Sequence, residues 1–196
     1  MKLACKIPRD VVLACSGGRD SMSALEFLLR GRRNVTVAYF NHLTDHGHDA
    51  ERFLEKFCAT QKIPLVISRY NNKYHKEKPT EETWRNARYD FFKSLNKTVI
   101  TAHHLEDAVE WWIFSALRGS PKLIPVVRED PNVIRPFITT DPKSFHKHFS
   151  EYPHIEDPTN SEVKYTRNFI RHEIVEKARK VNPGLSKTIK NLYKRE

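Results

Sequence analysis

No stretch of this sequence reaches the roughly 18 uncharged apolar residues that a membrane-spanning helix needs, so the sequence reads without a helical membrane span. Its first ten residues carry no apolar segment of the signal-peptide kind, and the expectation is a cytoplasmic protein. Cysteine is scarce. Cys5, Cys15 and Cys58 stand far apart and no CxxC pair exists. That argues against a zinc ribbon, a thioredoxin-type site and a cysteine-clustered iron–sulfur centre, and leaves buried thiols as the simplest reading. Neither GxxxxGK[ST] nor GxGxxG is present, and the HExxH zinc pattern is missing too. Internal repeats and low-complexity segments are also lacking.

What is there is a chain of 196 residues, 39% hydrophobic and 30% charged, enough for one core and a small appendage. The net charge of +10 is unevenly spread. Between Lys164 and Arg195 ten basic residues face only Glu173 and Glu176, which puts +8 of the total in this block. Such a block is either an electrostatic footprint for a polyanion or a solvated helix face that maintains solubility.

Short runs rich in Val and Ile alternate with amphipathic patterns. The predicted strands are Val11–Cys15, Val35–Phe40, Leu65–Tyr70, Thr98–Ala102 and Val133–Phe137. Between them, Met22, Leu25, Leu28 and Leu29 form one helical stripe, and Ala50, Phe53, Leu54, Phe57 and Cys58 form a second. Thr80 is placed to cap a helix that opens with Glu81 and Glu82. Leu105, Val109, Trp112, Ile113, Ala116 and Leu117 form another stripe, which Gly119 can end. This alternation predicts an α/β fold: a doubly wound, Rossmann-like parallel sheet of five strands with helices on both faces. Ligands of such sheets bind beyond the carboxyl ends of the strands. After Phe137 the strand patterns stop. Asp141-Pro142 can open a short helix, and a longer one is expected from about Ser161 to Val181, broken by Asn182-Pro183-Gly184. The expected division is an α/β domain over 1–140 and a basic helical extension over 141–196.

Four stretches carry chemistry. "SGGRDS", Ser16–Ser21, sits at a strand-to-helix corner, where glycines and a helix N-terminus can aim N–H groups at a phosphate. The same letters also fit a plain capped corner, with Ser16 or Asp20 as N-cap. In "AHHLEDAVE", Asp107 and Glu110 share one helix face behind His103 and His104. Paired carboxylates there suit a magnesium ion or a substrate ammonium, or simply an acid-favouring first turn. In "EETWRNARYDFF", Arg85 and Arg88 share a face and can grip phosphates or pair with surface acids. In "EDPTNSEVKYTRNFIRHEIV", Arg167 and Arg171 lie one helical turn apart, after the loop residues Asp157 and Asn160.

In this order and spacing, the stretches resemble the tRNA(Ile)-lysidine synthetases, a family within the PP-loop ATP pyrophosphatases. "SGGRDS" is similar to that family's SGGxDS, "EETWRNARY" to its ExxxRxxRY, "AHHLEDAVE…LRGS" to its AHHxDDxxE…RG, and "IRPF" and "EDPTN…RNFIR" to its RPL and EDxSN…RNxxR. The resemblance runs from about Val11 to Gly184. It implies an adenine nucleotide alpha hydrolase-like fold and a ligase forming a carbon–nitrogen bond. ATP adenylates the ring carbonyl oxygen of the wobble cytidine in a CAU anticodon, releasing pyrophosphate. Free L-lysine then displaces AMP, leaving lysidine.

Carried over by position, Ser16, Gly17, Gly18, Arg19, Asp20 and Ser21 would bind ATP, with His42 and His103 near the nucleotide. Asp20, Arg85, Arg88, Asp107 and Glu110 form the implied catalytic set. Asp107, Glu110 and Arg167 would hold lysine, and Asp20 and Asp107 a magnesium ion. Arg118, Arg167, Arg171, Lys177 and Lys180 would meet tRNA. Departures are visible: "HLTD" stands for HGLR after the second strand, Glu106 for an aspartate, Trp84 for a small residue, Trp111 for a threonine, and "PKLIPVV" for a glycine-rich segment. Relatives carry C-terminal domains that grip tRNA. With the sequence given ending at Glu196, the expectation is that the basic block does part of that work, that a homodimer or helper does it, or that the RNA differs. Two alternatives stay open: another PP-loop tRNA modification such as thiolation, or a catalytically decayed RNA-binding protein.

Overall fold

The computed structural model describes residues 2–71, 80–161 and 166–194. Five strands run parallel: β1 (Asp10–Ala14), β2 (Asn34–Asn41), β3 (Leu65–Arg69), β4 (Val99–Thr101) and β6 (Val133–Ile134). A sixth, β5 (Val127–Arg128), pairs antiparallel with β6, and the order across the sheet is β3-β2-β1-β4-β6-β5. The five-strand expectation therefore falls short by one edge strand. β5 has two residues, both exposed, too few to leave an alternation that a sequence pattern can register.

The central strand β1 keeps register with both neighbours: Val12 faces Thr36 of β2 and Val99 of β4. On one face, α1 (Arg19–Arg30) and α2 (Asp45–Gln61) bury Met22, Leu25, Leu28, Ala50 and Leu54 against Val11, Leu13 and Val37. On the other face, α3 (Glu81–Ser94) lays Phe91 and Phe92 on Val12, Val99 and Val133. Each fully buried Val, Leu, Met or Phe among these stabilises by about 1.5–3 kcal/mol relative to exposure. Caps set the helix ends. Thr80 accepts the Thr83 N–H at 3.2 Å. Gly119, at φ +82°, follows the end of α4 (Leu105–Leu117) in a left-handed turn that glycine adopts without strain. Leu117 lies 66% exposed and leaves the expected stripe, because the helix stops at that residue.

Beyond the sheet, Asp141 caps the short α5 (Pro142–His148), as its Asp-Pro start predicts. Phe145 of α5 joins Phe137 at a ring distance of 4.9 Å inside the α1 core. A 3-10 turn (Pro158–Ser161) precedes α6 (Thr166–Phe169), a π-turn (Ile170–Ile174) and α7 (Val175–Val181). The long helix expected from Ser161 is thus interrupted, and residues 162–165, Lys164 among them, lie outside the described residues, as does Arg195. After Asn182-Pro183-Gly184 comes α8 (Leu185–Leu192), whose Leu185 and Ile189 pack with Ile170 and Val175 on Val109 and Ile113 of α4. Among the described residues no helix is long and apolar enough to cross a membrane.

Candidate active site

The loop after β1 is built for close approach. Gly17 stands at φ +79°, and a Cβ there would lie 3.1 Å from Phe53 and 3.3 Å from Ile155. Only glycine meets both demands without strain. The Gly17 carbonyl accepts the Ile155 N–H at 3.0 Å, and Arg19 Nε reaches His154 at 3.5 Å, so a distant segment lies along the loop. The Ser21 hydroxyl folds inward, donating to the Gly18 carbonyl at 2.9 Å and accepting from the Ser16 N–H at 3.3 Å. The N-cap of α1 is Gly18, and neither Ser16 nor Asp20 caps it, which corrects the plain capped-corner reading. The first-turn N–H groups of α1 thus keep their donors for an anion.

Asp20 projects from that turn into a pair of imidazoles. Its Oδ1 lies 2.7 Å from His146 Nε2 and 3.4 Å from His104 Nε2. His104 continues the chain of charge: its Nδ1 is 3.4 Å from Asp107 Oδ2, and its backbone N–H donates to the same oxygen at 2.8 Å. Burial alone would raise the Asp20 carboxyl, but the hydrogen bonds and charge of His104 and His146 outweigh it and hold it at about 2. Burial alone would lower His104, but the bond to Asp20 and the charges of Asp107, Asp20 and Glu110 raise it to about 9. His104 is therefore an imidazolium at neutral pH, bridging the phosphate loop to the mouth of α4.

One turn further along α4, Glu110 is buried and takes Arg171 in a two-bond fork, Nε to Oε1 at 2.6 Å and Nη2 to Oε2 at 3.0 Å. Arg171 Nη2 also lies 3.7 Å from Asp107 Oδ1. Arg171 thus covers the acidic pair rather than standing on open surface. Arg179 pairs with Glu106 on the outer side of α4.

The opposite wall is cationic. His103 bonds Thr101 Oγ1 at 2.7 Å. Burial keeps its ring neutral; Asp107 opposes that, and Arg135, Arg167 and Arg88 reinforce it. His42, at the end of β2, is lowered to about 4 by burial and by Arg88, and its ring lies 5.2 Å from that of Trp84. Arg85 lies exposed on α3, its guanidinium 5.6 Å from the Tyr89 ring. Three of the expected tRNA contacts sit elsewhere. Arg118 is beyond the far end of α4, 5.3 Å from the Phe114 ring; Lys177 pairs with Glu173 at 3.1 Å; Lys180 is exposed on α7. The structure thus gathers Asp20, Asp107, Glu110 and His103 around the carboxyl ends of β1 and β4, with the charges of Arg88 and Arg167 acting on His103.

His146 and Arg135 belong to this site too. A single histidine 126 residues from Asp20 leaves no local signal, whereas the "IRPF" of Arg135 follows a strand and is visible as a motif. For magnesium, the half-exposed Asp20 fits the usual pattern of one carboxylate beside substrate phosphates. His104 lies 3.4 Å from a carboxylate oxygen of both Asp20 and Asp107, the two acids expected to hold that ion.

A parallel sheet whose first strand runs through a glycine-turned loop into a helix N-terminus, with acids at the next strand's rim, defines an α/β protein of the Rossmann-like kind with a candidate phosphate-binding corner. The description "PP-loop domain" matches residues 2–178, and the chain belongs to that family. A tRNA(Ile)-lysidine synthase of Thermotoga sp. (strain RQ2) is 33% identical over 201 residues, covering 93% of this chain and 48% of that protein. The protein of the same name from Lactiplantibacillus plantarum is 32% identical, covering 92% of this chain and 44% of its own. The chain thus spans about half the length of the curated relatives it matches. Among solved structures, a U34-tRNA thiolase from Methanococcus maripaludis with its [4Fe-4S] cluster aligns with a TM-score of 0.72 over 97% of this chain and 73% of that one. At 16% identity that likeness speaks to the fold alone.

Proposed function

We propose that this chain is an ATP-dependent, lysidine-forming tRNA ligase. The observation that carries the proposal is the continuous line from phosphate loop to acidic pair: Asp20, the His104 imidazolium, Asp107, then Glu110 under Arg171. The chemistry needs these neighbours. In the first step the ring carbonyl oxygen of cytidine attacks the α-phosphorus of ATP, and pyrophosphate leaves. The α1 N-terminus and the loop amides stabilise its growing charge. In the second step a lysine amine attacks the activated ring carbon, and AMP departs with the former carbonyl oxygen. The acidic pair binds the ammonium groups of lysine, which must share or displace Arg171 there. The proton released by the attacking amine must pass to a neutral base, and His103, whose ring burial keeps neutral, is the residue we assign to it. A magnesium ion, held by Asp20 with the nucleotide's phosphates, would neutralise charge on the leaving pyrophosphate.

The identities of 33% and 32% to proteins called tRNA(Ile)-lysidine synthase support this reading over thiolation. The thiols add to that support. Cys58 is pushed up to about 11 by burial and by Cys15, and buried Cys15 is raised as well, so neither is primed for sulfur chemistry. The test is incubation of the protein with ATP, lysine and a CAU-anticodon tRNA. The expected result is AMP release dependent on both lysine and tRNA, with a lysine-sized mass gain on one cytidine, both abolished in Asp20→Ala. Thiocytidine in place of lysidine, or RNA binding with no ATP turnover, would overturn the proposal.

A further inference from the structure

A second charged cluster lies beside this site, and the proposed chemistry leaves most of it unused. Tyr89 of α3 is ringed by arginines from three parts of the chain. The Arg128 guanidinium on β5 is 4.4 Å from the Tyr89 ring centroid, and that of Arg85, one turn earlier on α3, is 5.6 Å away. Arg135, only 4% exposed, donates from Nη2 to the Tyr89 hydroxyl at 3.0 Å and from Nη1 to the Pro125 carbonyl at 2.7 Å. Its Nε is buried with no hydrogen-bond partner.

Charge here is not balanced by ion pairs. Among the described residues no carboxylate lies within ion-pair distance of Arg85, Arg128 or Arg135. The nearby Asp130 carboxylate is held by Lys93 at 2.9 Å, and Arg128 Nε takes only the Asp130 backbone carbonyl at 2.8 Å. The imbalance is felt by Tyr89 itself. Burial would push its phenol up, yet the charges of Arg135, Arg85, Arg88 and Arg128 bring it below its ordinary value. A guanidinium laid near an aromatic ring retains in-plane N–H donors suited to phosphate oxygens. Arg85 and Arg128 are exposed and keep such donors for solvent. Burying a cation such as Arg135 without a counter-ion is unfavourable, and an anion bound next to it would offset that cost.

We propose that Arg85, Arg128 and Arg135, gathered around Tyr89, form a phosphodiester seat that holds the RNA strand beside the reacting nucleotide. This rests on the RNA-modifying reading above and adds where the strand lies. Arg135 directly follows β6, the neighbour of β4 in the sheet, and its charge acts on His103, which lies just after β4. A backbone phosphate placed there belongs to a nucleotide close to the one being modified. The same chemistry could instead serve the phosphates of ATP, and the two sources separate experimentally.

The experiment uses the full chain and the variants Arg128→Ala and Arg128→Lys, with Arg128 chosen because it is exposed on the edge hairpin. Binding of a labelled CAU anticodon stem-loop is followed by fluorescence anisotropy across a range of NaCl concentrations, with ATP affinity measured in parallel. For Arg128→Ala the expected result is roughly five- to tenfold weaker RNA binding and a log–log salt slope shallower by about one, as for loss of one phosphate contact. The loss should be the same for a stem-loop of different anticodon, with ATP affinity unchanged, and Arg128→Lys should regain most of it. Weaker ATP binding with RNA binding intact would assign the seat to the nucleotide and overturn the proposal. So would no change in either. Binding needs no turnover, so an Arg128 effect on RNA in a chain that forms no lysidine upholds the seat while refuting the ligase reading.

Discussion

Removing Arg171 tests the acidic pair most directly. Glu110 is 8% exposed at its side chain and Arg171 37%, and two hydrogen bonds join them. Breaking a buried pair by deleting one partner typically costs about 3–5 kcal/mol. Solvent reaches Arg171, so a smaller loss of about 2 kcal/mol is expected for Arg171→Met. In a chain of this size that lowers Tm by about 4–8 °C. The pH dependence has a definite sign. Burial already raises the Glu110 carboxyl above its ordinary value, and Arg171 is what pulls it back. Without Arg171 the folded state holds that proton more tightly than the unfolded chain does. Stability then falls as pH rises from the unfolded carboxylate range, near about 4.3, through the raised folded value. Thermal melts should therefore show a larger deficit at pH 8 than at pH 5. The double variant with Glu110→Gln should recover part of the loss, because an amide needs no cation. A deficit as large at pH 5 as at pH 8, or a double variant no better than the single, would refute this account of the pair.

Two other expectations concern the loop and the thiols. Gly17→Ala meets both a left-handed φ and the Phe53 and Ile155 contacts, so it should lose about 1–3 kcal/mol and weaken ATP binding, read by melts and nucleotide titration. Thiol labelling at pH 7.5 should modify the partly exposed Cys5 before Cys15 and Cys58, which should react only on unfolding; fast labelling of three thiols in the native protein would contradict their burial.

Much of the fold is legible in the residues. The Val- and Ile-rich runs mark all five parallel strands to within a few residues, because inner strands buried on both faces leave continuous apolar letters, and the edge strand β3, though only partly buried, keeps the run Leu65–Ile67. Thr80, Asp141 and Gly119 mark helix ends because their side chains, or the lack of one, fix local backbone geometry. The edge strand Val127–Arg128 is not legible, since pairing with Val133 and Ile134 rather than any pattern of its own creates it. The site divides the same way. Asp20 and Asp107 meet because they follow neighbouring strands β1 and β4, which the rule for parallel sheets anticipates. What joins them is a tertiary contact: His104 swings between the two carboxylates, and His146 arrives from α5. Arg171 reads as a free cation in the sequence, yet it is consumed by Glu110, because a buried carboxylate takes the nearest guanidinium that geometry allows.

The strap over the phosphate loop sets an order of events during folding. Gly17 and Arg19 leave the ribosome early, but their partners Ile155 and His154 come about 135 residues later. The segment that brings them is anchored by a second long-range tie, the buried Glu26 carboxylate accepting the Glu151 N–H at 2.9 Å. The pairing of β1, β2, β3 and β4 uses residues up to Thr101 alone. The packed loop after β1 cannot form from these alone, because closing that large a loop must first overcome its entropy. The packing around Gly17 is thus completed late, when the segment near Ile155 has docked.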